Sequence, residues 1–154
     1  MPRFVISIRG EKLTLVSIAV CVRNGKDWIN GCMESLVNQT HKTTEIILVD
    51  DGSTDGGREI VKKWASHDNV ITILQEAKGL SSGRMAALEI AKGDWFAITD
   101  IDVRPEANWI ESLLDSSVSR EGENVGAVSR GIVKEYVKSI TSGKITSMYR
   151  AIDE

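Results

Sequence analysis

Apolar runs alternate with amphipathic stretches along most of this chain. Four runs rich in β-branched residues predict strands, at residues 13–22, 44–51, 69–75 and 95–99. Each run is followed by a stretch whose apolar residues recur at helical spacing. This alternation is typical of a largely parallel sheet whose two faces are both covered by helices. The pattern therefore predicts an α/β fold.

The predicted helices each carry an apolar stripe and residues suited to their ends. Asp27 is a candidate N-cap of the first helix, and Ser53 or Asp55 of the second. Ser81 or Ser82 lies near the start of the third, and Gly93 just past its end. The stripes are Trp28, Ile29, Cys32, Leu36 and Val37; then Ile60, Val61 and Trp64; and finally Trp109, Ile110, Leu113 and Leu114. We expect all four tryptophans, including Trp95, to face the sheet and pack in the core rather than against a ligand. Trp28 is a partial exception, because it lies close to the loop after the first strand.

The two ends of the chain have weaker patterns. Residues 3–16 are compatible with a hairpin that turns at Gly10 and Glu11. Residues 124–133 ("NVGAVSRGIV") predict a fifth strand, and residues 144–154 ("KITSMYRAIDE") an amphipathic helix.

Composition and charge exclude several classes of protein. A net charge of -3 argues against a surface that neutralises a nucleic-acid backbone. The longest apolar run, residues 15–22, is too short to span a bilayer. Cys21 and Cys32 lack metal-site spacing, so we expect reduced, packed thiols. We expect a cytoplasmic protein with no membrane segment in this chain, the inner face of the membrane being the alternative location.

Polar residues are concentrated where the predicted strands end. In open parallel sheets, ligands bind outside the carboxyl ends of the strands. The residues at these ends are Arg23 and Asn24, Asp50 and Asp51, Asp100 and Asp102, with Gly79 and Arg84 a short distance after the third strand. Carboxylates and a cation at one edge indicate a site for a divalent metal and an anionic ligand.

Asp100 and Asp102 follow the fourth strand at a spacing of two residues. In extended backbone two such side chains leave the chain on the same side, while Ile101 between them points into the core. Hard carboxylate oxygens suit Mg²⁺ or Mn²⁺, whose other ligands are waters and phosphate oxygens. The alternative is a solvated turn, because a D-x-D triplet by itself is weak evidence.

Two long segments resemble the nucleotide-sugar-binding half of a family 2 glycosyltransferase with the GT-A fold. They are "VSIAVCVRNGKDWINGCMESLVNQTHKTTEIILVDDGSTDG" and "GLSSGRMAALEIAKGDWFAITDIDVRPEANWIESLL". The resemblance implies a Rossmann-like three-layer α/β/α sandwich with a mostly parallel central sheet. It also implies a donor-binding domain over residues 13–131, preceded by an extension over 1–12 with a possible edge strand. Residues 132–154 would begin an incomplete acceptor-side region.

The resemblance also implies roles for individual residues. Asp51 corresponds to the residue that contacts the base, and Arg84 to one close to the nucleotide and its phosphates. Asp100 resembles the aspartate that faces the ribose, and Asp102 the ligand of a Mg²⁺ or Mn²⁺ that bridges the diphosphate. The other expected nucleotide-sugar contacts are Cys21, Val22, Arg23, Asn24, Gly79 and Ile101.

Two departures from the family pattern limit what the resemblance implies. The family often has a proline and an aromatic residue where this chain has Cys21, Val22 and Arg23. The identity of the donor's nucleobase is therefore not determined by the resemblance. Family members also use an acidic general base, which normally lies well downstream of the D-x-D triplet. No matching motif surrounds the acidic residues past the last predicted helix, which are Glu121, Glu123, Glu135, Asp153 and Glu154. We expect either a shortened chain or a natural relative without the acceptor-binding half.

The implied function is that of a glycosyltransferase, inverting at the sugar carbon, or of its donor-binding part. It would transfer a sugar from a nucleotide-diphospho-sugar to a hydroxyl of a polysaccharide, a lipid-linked acceptor or a protein glycan. A non-catalytic module that binds nucleotide-sugar is the alternative. A nucleotidyltransferase is disfavoured because no glycine-rich, basic triphosphate loop follows the first strand.

Overall fold

The computed structural model describes residues 14–118, 137–141 and 145–149, with side chains over residues 14–115. Its main sheet has four parallel strands in the order β3-β2-β1-β4. The strands are β1 (Val16–Val22), β2 (Thr44–Asp51), β3 (Val70–Gln75) and β4 (Trp95–Asp100). The helices are α1 (Lys26–Val37), α2 (Gly57–Trp64), α3 (Leu80–Ile90) and α4 (Trp109–Val118). An antiparallel pair follows, β5 (Val137–Thr141) and β6 (Ile145–Tyr149).

The core lies on both faces of this sheet. Alternate residues of β1 point to opposite faces, and all seven are buried because neighbours flank the strand and helices cover it. Side chains of α1, α2 and α4 pack on one face, among them Ile29, Val61 and Ile110. On the other face α3 contributes Ala87. The three-layer α/β/α arrangement with a parallel sheet is confirmed.

A close contact at Gly83 sets the position of α3. A Cβ atom at this residue would lie 3.0 Å from Cys21 Sγ and 3.4 Å from Val49 Cγ1. The helix therefore approaches β1 and β2 so closely that a larger residue would require its neighbours to shift by a few tenths of an ångström. Arg84, the next residue, is brought to the carboxyl end of β4, where it meets Asp100.

The "AKGD" segment has a structural role at the opposite edge of the sheet. Gly93 N–H donates to Ser17 Oγ at 2.8 Å, and Ser17 Oγ donates to Glu45 Oε1 at 2.5 Å. Lys92 N–H donates to the same Glu45 oxygen at 2.6 Å. A Cβ atom on Gly93 would lie 2.5 Å from Ser17 N, so only glycine fits this approach. These bonds fix where β4 enters the sheet.

The predicted helix ends are partly wrong. Gly25, not Asp27, is the N-cap of α1, and Asp27 lies in its first turn. For α2, Gly56 at φ +90° directly precedes the helix, but the Asp55 side chain accepts the N–H of Gly57, its first residue, at 2.8 Å, in agreement with one of the two predicted caps. The prediction for α1 assumed that a helix is capped by a residue next to it in the sequence. Here the side chain of Asp55 accepts hydrogen bonds from the N-termini of both helices.

Three of the four tryptophans pack against the core as predicted. Trp64 is buried, and Trp95 and Trp109 are half-buried against the first core cluster. The prediction is wrong for Trp28, which is 50% exposed. The buried stripe of α1 is formed instead by Ile29, Cys32, Met33 and Leu36, so that Trp28 lies off its edge.

The weak patterns near the chain ends have different outcomes. The helix predicted over residues 144–154 is wrong at Ile145–Tyr149, which form β6 paired with β5. Isoleucine, threonine and tyrosine favour extended backbone, and this preference outweighs the helical spacing in that segment. The fifth strand predicted at 124–133 and most of the hairpin at 3–16 lie outside the described residues. Within the described part of the chain, no helix is long and apolar enough to cross a bilayer.

Candidate functional site

The register of the sheet brings the polar strand ends together. Cys21 in β1 lies opposite Asp100 in β4, and Val22 opposite Asp50 in β2. Asp51 in turn lies opposite Gln75 in β3. The carboxyl ends of all four strands therefore share one edge, and the predicted convergence of their polar residues is confirmed.

Asp51 holds the loop that connects β3 to α3. Its Oδ1 accepts hydrogen bonds from Gln75 Nε2 at 2.7 Å and Lys78 N–H at 2.8 Å, and its Oδ2 accepts one from Gly79 N–H at 2.9 Å. The Lys78 N–H, the Gln75 amide, the Gly79 N–H and, to the smallest extent, the Arg23 charge hold the pKa of this carboxyl below its usual range, against burial, which raises it. Asp51 is thus an ionised and buried group at the end of β2. Its contact with a nucleobase stays a prediction.

Asp50 is fully buried and forms an ion pair that the sequence did not reveal. Arg58 Nε donates to Asp50 Oδ2 at 2.6 Å, while Arg58 Nη2 donates to the carbonyl of Gln75 at 2.6 Å. The start of α2 is thereby tied to the ends of β2 and β3. A buried carboxylate without such a partner would be costly, so Asp50 has a structural role. The only available signal was an arginine one turn into the predicted helix, which usually indicates an exposed side chain.

Arg84 and Asp100 form the exposed ion pair of the site. The Arg84 Nη2 atom lies 3.1 Å from Asp100 Oδ1, and the Asp100 side chain is 61% exposed. Both residues were predicted to contact the nucleotide from separate positions. Because the two side chains pair with each other, a ligand that binds Asp100 must compete with Arg84, and a ligand that binds Arg84 must compete with Asp100.

The backbone beyond Asp100 differs from the prediction. β4 ends at Asp100, and the chain turns at once, with Val103 N–H donating to the Asp100 carbonyl at 3.2 Å. Asp102 is therefore on an exposed turn, and the strand geometry assumed for the pair does not extend to it. Ile101 packs against the first core cluster, as expected.

The segment after Asp102 is anchored by a buried amide that the sequence also did not reveal. Gln39 Nε2 donates to the Glu106 carbonyl at 2.8 Å, and Gln39 Oε1 accepts a hydrogen bond from Ile110 N–H at 3.1 Å. Arg104 also lies over α1, since a Cβ at Gly31 would be 2.6 Å from its Nη2. A glutamine at the end of a helix usually predicts an exposed side chain, so only tertiary structure identifies this anchor.

Asn24 connects the first strand-end loop to the second. It adopts a left-handed conformation at φ +54°, and its N–H donates to Ser53 Oγ at 3.0 Å. Its Oδ1 accepts hydrogen bonds from Thr54 N–H at 2.8 Å and from the Thr54 hydroxyl at 3.3 Å. Arg23, just before it, is exposed. The predicted nucleotide contact of Asn24 would have to involve atoms other than this oxygen.

Cys21 and Val22 are both buried. Burial raises the pKa of the Cys21 thiol to about 11, against the opposing effect of Arg84, and burial likewise raises that of Cys32 to about 11. Both are free, neutral thiols, as expected. The side chains of Cys21 and Val22 face the core, so a ligand would meet these two residues through their main chain.

The described carboxylates fit a metal site in which the protein supplies one or two ligands. Within residues 14–115, no group of three or more histidine, cysteine, aspartate or glutamate side chains is arranged to hold an ion. Asp100 and Asp102 nevertheless offer exposed hard oxygens on one turn. This set suits a cation such as Mg²⁺, which typically takes one or two carboxylates and completes its shell with waters and ligand phosphates.

Comparison with known proteins yields one family. The family described as "Glycosyl transferase family 2" matches residues 17–149. The putative glycosyltransferase EpsH of Bacillus subtilis (strain 168) is 39% identical over 100 residues, which are 64% of this chain and 29% of that protein. The chain thus spans less than a third of the length of this relative.

Solved structures of glycosyltransferases share the fold. The mannosyltransferase PcManGT from Pyrobaculum calidifontis, in complex with GDP-Man and Mn²⁺, has a TM-score of 0.62 and 24% identity. That comparison covers 68% of this chain and 32% of the other. Residues 1–349 of Staphylococcus aureus TarS with UDP-GlcNAc give a TM-score of 0.60 at 23% identity, covering 79% and 38%. The fold is therefore GT-A.

Proposed function

We propose, because the chain belongs to glycosyl transferase family 2, that it binds a nucleoside-diphosphate sugar at the carboxyl edge of its sheet. It would be the donor-binding part of an inverting glycosyltransferase. In the reaction, an acceptor hydroxyl attacks the anomeric carbon, and the bond from that carbon to the diphosphate breaks in the same step. The hydroxyl proton passes to a general base that lies outside the motifs named here. The acceptor is a polysaccharide, a lipid-linked molecule or a protein glycan.

The arrangement of charges at this edge carries the proposal. Arg84 and Asp100 meet at 3.1 Å, Asp102 follows on an exposed turn, and Arg23 acts electrostatically on Asp51. The edge thus carries both cations suited to phosphate oxygens and carboxylates suited to hydroxyls and a metal ion. This is also the edge where parallel sheets bind ligands.

A divalent cation, Mg²⁺ or Mn²⁺, would be held by Asp102 and Asp100. When bound, it would offset the negative charge that develops on the departing diphosphate. The related mannosyltransferase was solved with GDP-Man and Mn²⁺, which supports the use of a cation here. Asp100 would have to exchange Arg84 for the cation or for the donor's hydroxyl groups.

Residue roles follow from the same placement. Arg84 would donate to the diphosphate, and Asp100 would accept hydrogen bonds from ribose hydroxyls. The base, from UDP, GDP or dTDP, would lie between the first loop and Asp51. Contacts from Cys21, Val22, Asn24 and Gly79 would come mainly through the main chain, and Ile101 would hold the D-x-D turn. We assign donor binding to residues 13–131, between an extension at 1–12 and an acceptor-side region starting at 132.

Titration calorimetry tests donor binding. UDP, GDP and dTDP are titrated into the protein with and without Mn²⁺ or Mg²⁺. One nucleotide should bind, and the metal should tighten its dissociation constant about tenfold or more, as expected when the ion bridges protein and diphosphate. Asp102→Ala should remove the metal effect. Asp68→Ala, which removes an exposed carboxylate before β3, at the opposite edge, should keep it. Metal-independent binding that Asp102→Ala leaves unchanged would refute the proposal.

A non-catalytic nucleotide-sugar-binding module is the second candidate. Asp50 pairs with Arg58, and Asp51 holds the loop before α3, so neither carboxylate is available to take a proton from an acceptor. Slow release of free sugar from the bound donor distinguishes the candidates. Hydrolysis above a protein-free control would favour the enzyme, and binding without any turnover would favour the module.

A further inference from the structure

Two loops at the candidate site are joined by side chain to main chain hydrogen bonds. The first, residues 23–25, follows β1, and the second, residues 52–56, follows β2. Asn24 N–H donates to Ser53 Oγ at 3.0 Å, and Thr54 N–H donates to Asn24 Oδ1 at 2.8 Å. We call this set, together with Asp55, the loop clasp.

Asp55 lies between the starts of two helices. Its Oδ2 accepts a hydrogen bond from Lys26 N–H, the first residue of α1, at 2.9 Å. Its Oδ1 accepts one from Gly57 N–H, the first residue of α2, at 2.8 Å. Neither helix has a side-chain hydrogen bond from its own N-cap residue. One carboxylate thus occupies the positive ends of both helix dipoles.

The clasp lies next to two charged residues of the candidate site. Arg23 directly precedes Asn24, and Asp51 lies two residues before Ser53. The strands under the loops are paired up to Val22 and Asp50. Beyond that pair, the two loops are joined by the clasp bonds and by the hydrogen bond from the Thr54 hydroxyl to Asn24 Oδ1 at 3.3 Å.

We propose that Asp55 is a positioning residue for nucleotide binding. It fastens the first loop to the second, so that the Arg23 side chain and the Asp51 region face the same ligand at a fixed separation. Asp55 itself does not touch the ligand. The inference rests on the proposed function, and it adds to that function a residue which acts through the two loops.

Asp55→Asn tests the inference with little change in shape. An amide replaces one carboxylate oxygen by a donor, so one of the two helix N–H bonds is lost and the other is weakened. The amide resonances of Lys26 and Gly57 should shift, and hydrogen exchange should accelerate at residues 23–26 and 53–57. The dissociation constant of the nucleotide should rise about 10- to 100-fold, as expected for a misplaced binding group. Asp68→Asn, with the same loss of charge, should change none of these.

A second pair of variants separates positioning from stability. Ser53→Ala removes the acceptor of the Asn24 N–H bond, and Ser53→Thr retains a hydroxyl. Nucleotide affinity should fall in Ser53→Ala and recover in Ser53→Thr. If Asp55→Asn does not fold, this pair tests whether the bonds between the two loops position the nucleotide, and unchanged affinity in Ser53→Ala would overturn the inference.

The outcomes also separate the inference from the proposed function. Normal nucleotide affinity in Asp55→Asn and Ser53→Ala, despite faster exchange in both loops, would overturn the inference alone. Failure of the wild-type protein to bind any nucleotide would overturn both.

Discussion

Four aspartates stand at the carboxyl edge of the sheet, and their burial divides them into two pairs. Asp50 and Asp51 are buried and already bonded within the chain. Asp100 and Asp102 are exposed, and among the residues that the structure describes the Asp100 carboxylate forms a surface ion pair with Arg84. Exposed ion pairs contribute about 1 kcal/mol or less, so a ligand can displace this one at small cost. Asp100 and Asp102 are therefore suited to bind a ligand, whereas Asp50 and Asp51 hold the loops around the site in place.

Arg84→Met should have opposite effects on the affinities for Mn²⁺ and for the nucleotide. Loss of the guanidinium frees Asp100, so Mn²⁺ affinity without nucleotide should rise, by up to about fivefold. Nucleotide affinity should fall because a phosphate partner is lost. Mn²⁺ binding is read by electron paramagnetic resonance, and nucleotide binding by calorimetry. Lys92→Met, at the other edge of the sheet, should change neither. A fall in Mn²⁺ affinity in Arg84→Met would show that Arg84 does not compete for Asp100.

At the scale of single elements, the pattern of apolar residues was sufficient for strands and helices but not for their ends. Continuous burial of β1 and the stripes of α2 and α4 follow from residue spacing alone. The start of α1 does not, because its acceptor, Asp55, comes from a loop nearly thirty residues away in the sequence. The prediction for Trp28 was wrong because residue spacing alone does not separate an apolar residue next to the buried stripe of a helix from one within that stripe.

Gly83→Ala tests the close approach of α3. Alanine favours a helix over glycine by about 1 kcal/mol, whereas the new Cβ would crowd Cys21 and Val49, where overpacking costs about 1–3 kcal/mol. Because both neighbours are buried strand residues, we expect net destabilisation of about 1 kcal/mol in urea unfolding. Ser81→Ala, at an exposed position of α3, should stay within about 0.5 kcal/mol of wild type. A more stable Gly83→Ala protein would mean that the helix simply moves away.

The crowding itself can be separated from the helix preference. In a Cys21→Ala background the sulfur that lies nearest the new Cβ is absent. Gly83→Ala should then cost less, and the difference between the two backgrounds measures the contact. Equal effects in both backgrounds would contradict the assigned cause.

For the whole molecule, the two edges of the sheet have separate roles. At the amino edge, Ser17, Glu45 and Gly93 are joined by hydrogen bonds, whereas the carboxyl edge carries exposed charged side chains. The sequence could predict which residues reach the carboxyl edge, because topology and strand ends decide it. It could not predict that Asp50, Asp51 and Asn24 are bonded within the chain, because their partners depend on tertiary structure.

The central claim is that nucleotide and metal meet at the carboxyl edge, beside Asp102. Paramagnetic broadening of backbone amide resonances by Mn²⁺ in the presence of the bound nucleotide tests it most directly. The account predicts the strongest broadening at residues 101–103 and the weakest at residues 69–70 and 92–93, at the amino edge. Asp102→Asn should abolish it, and Asp68→Asn should not. Broadening that is centred elsewhere, or that survives in Asp102→Asn, would contradict the account.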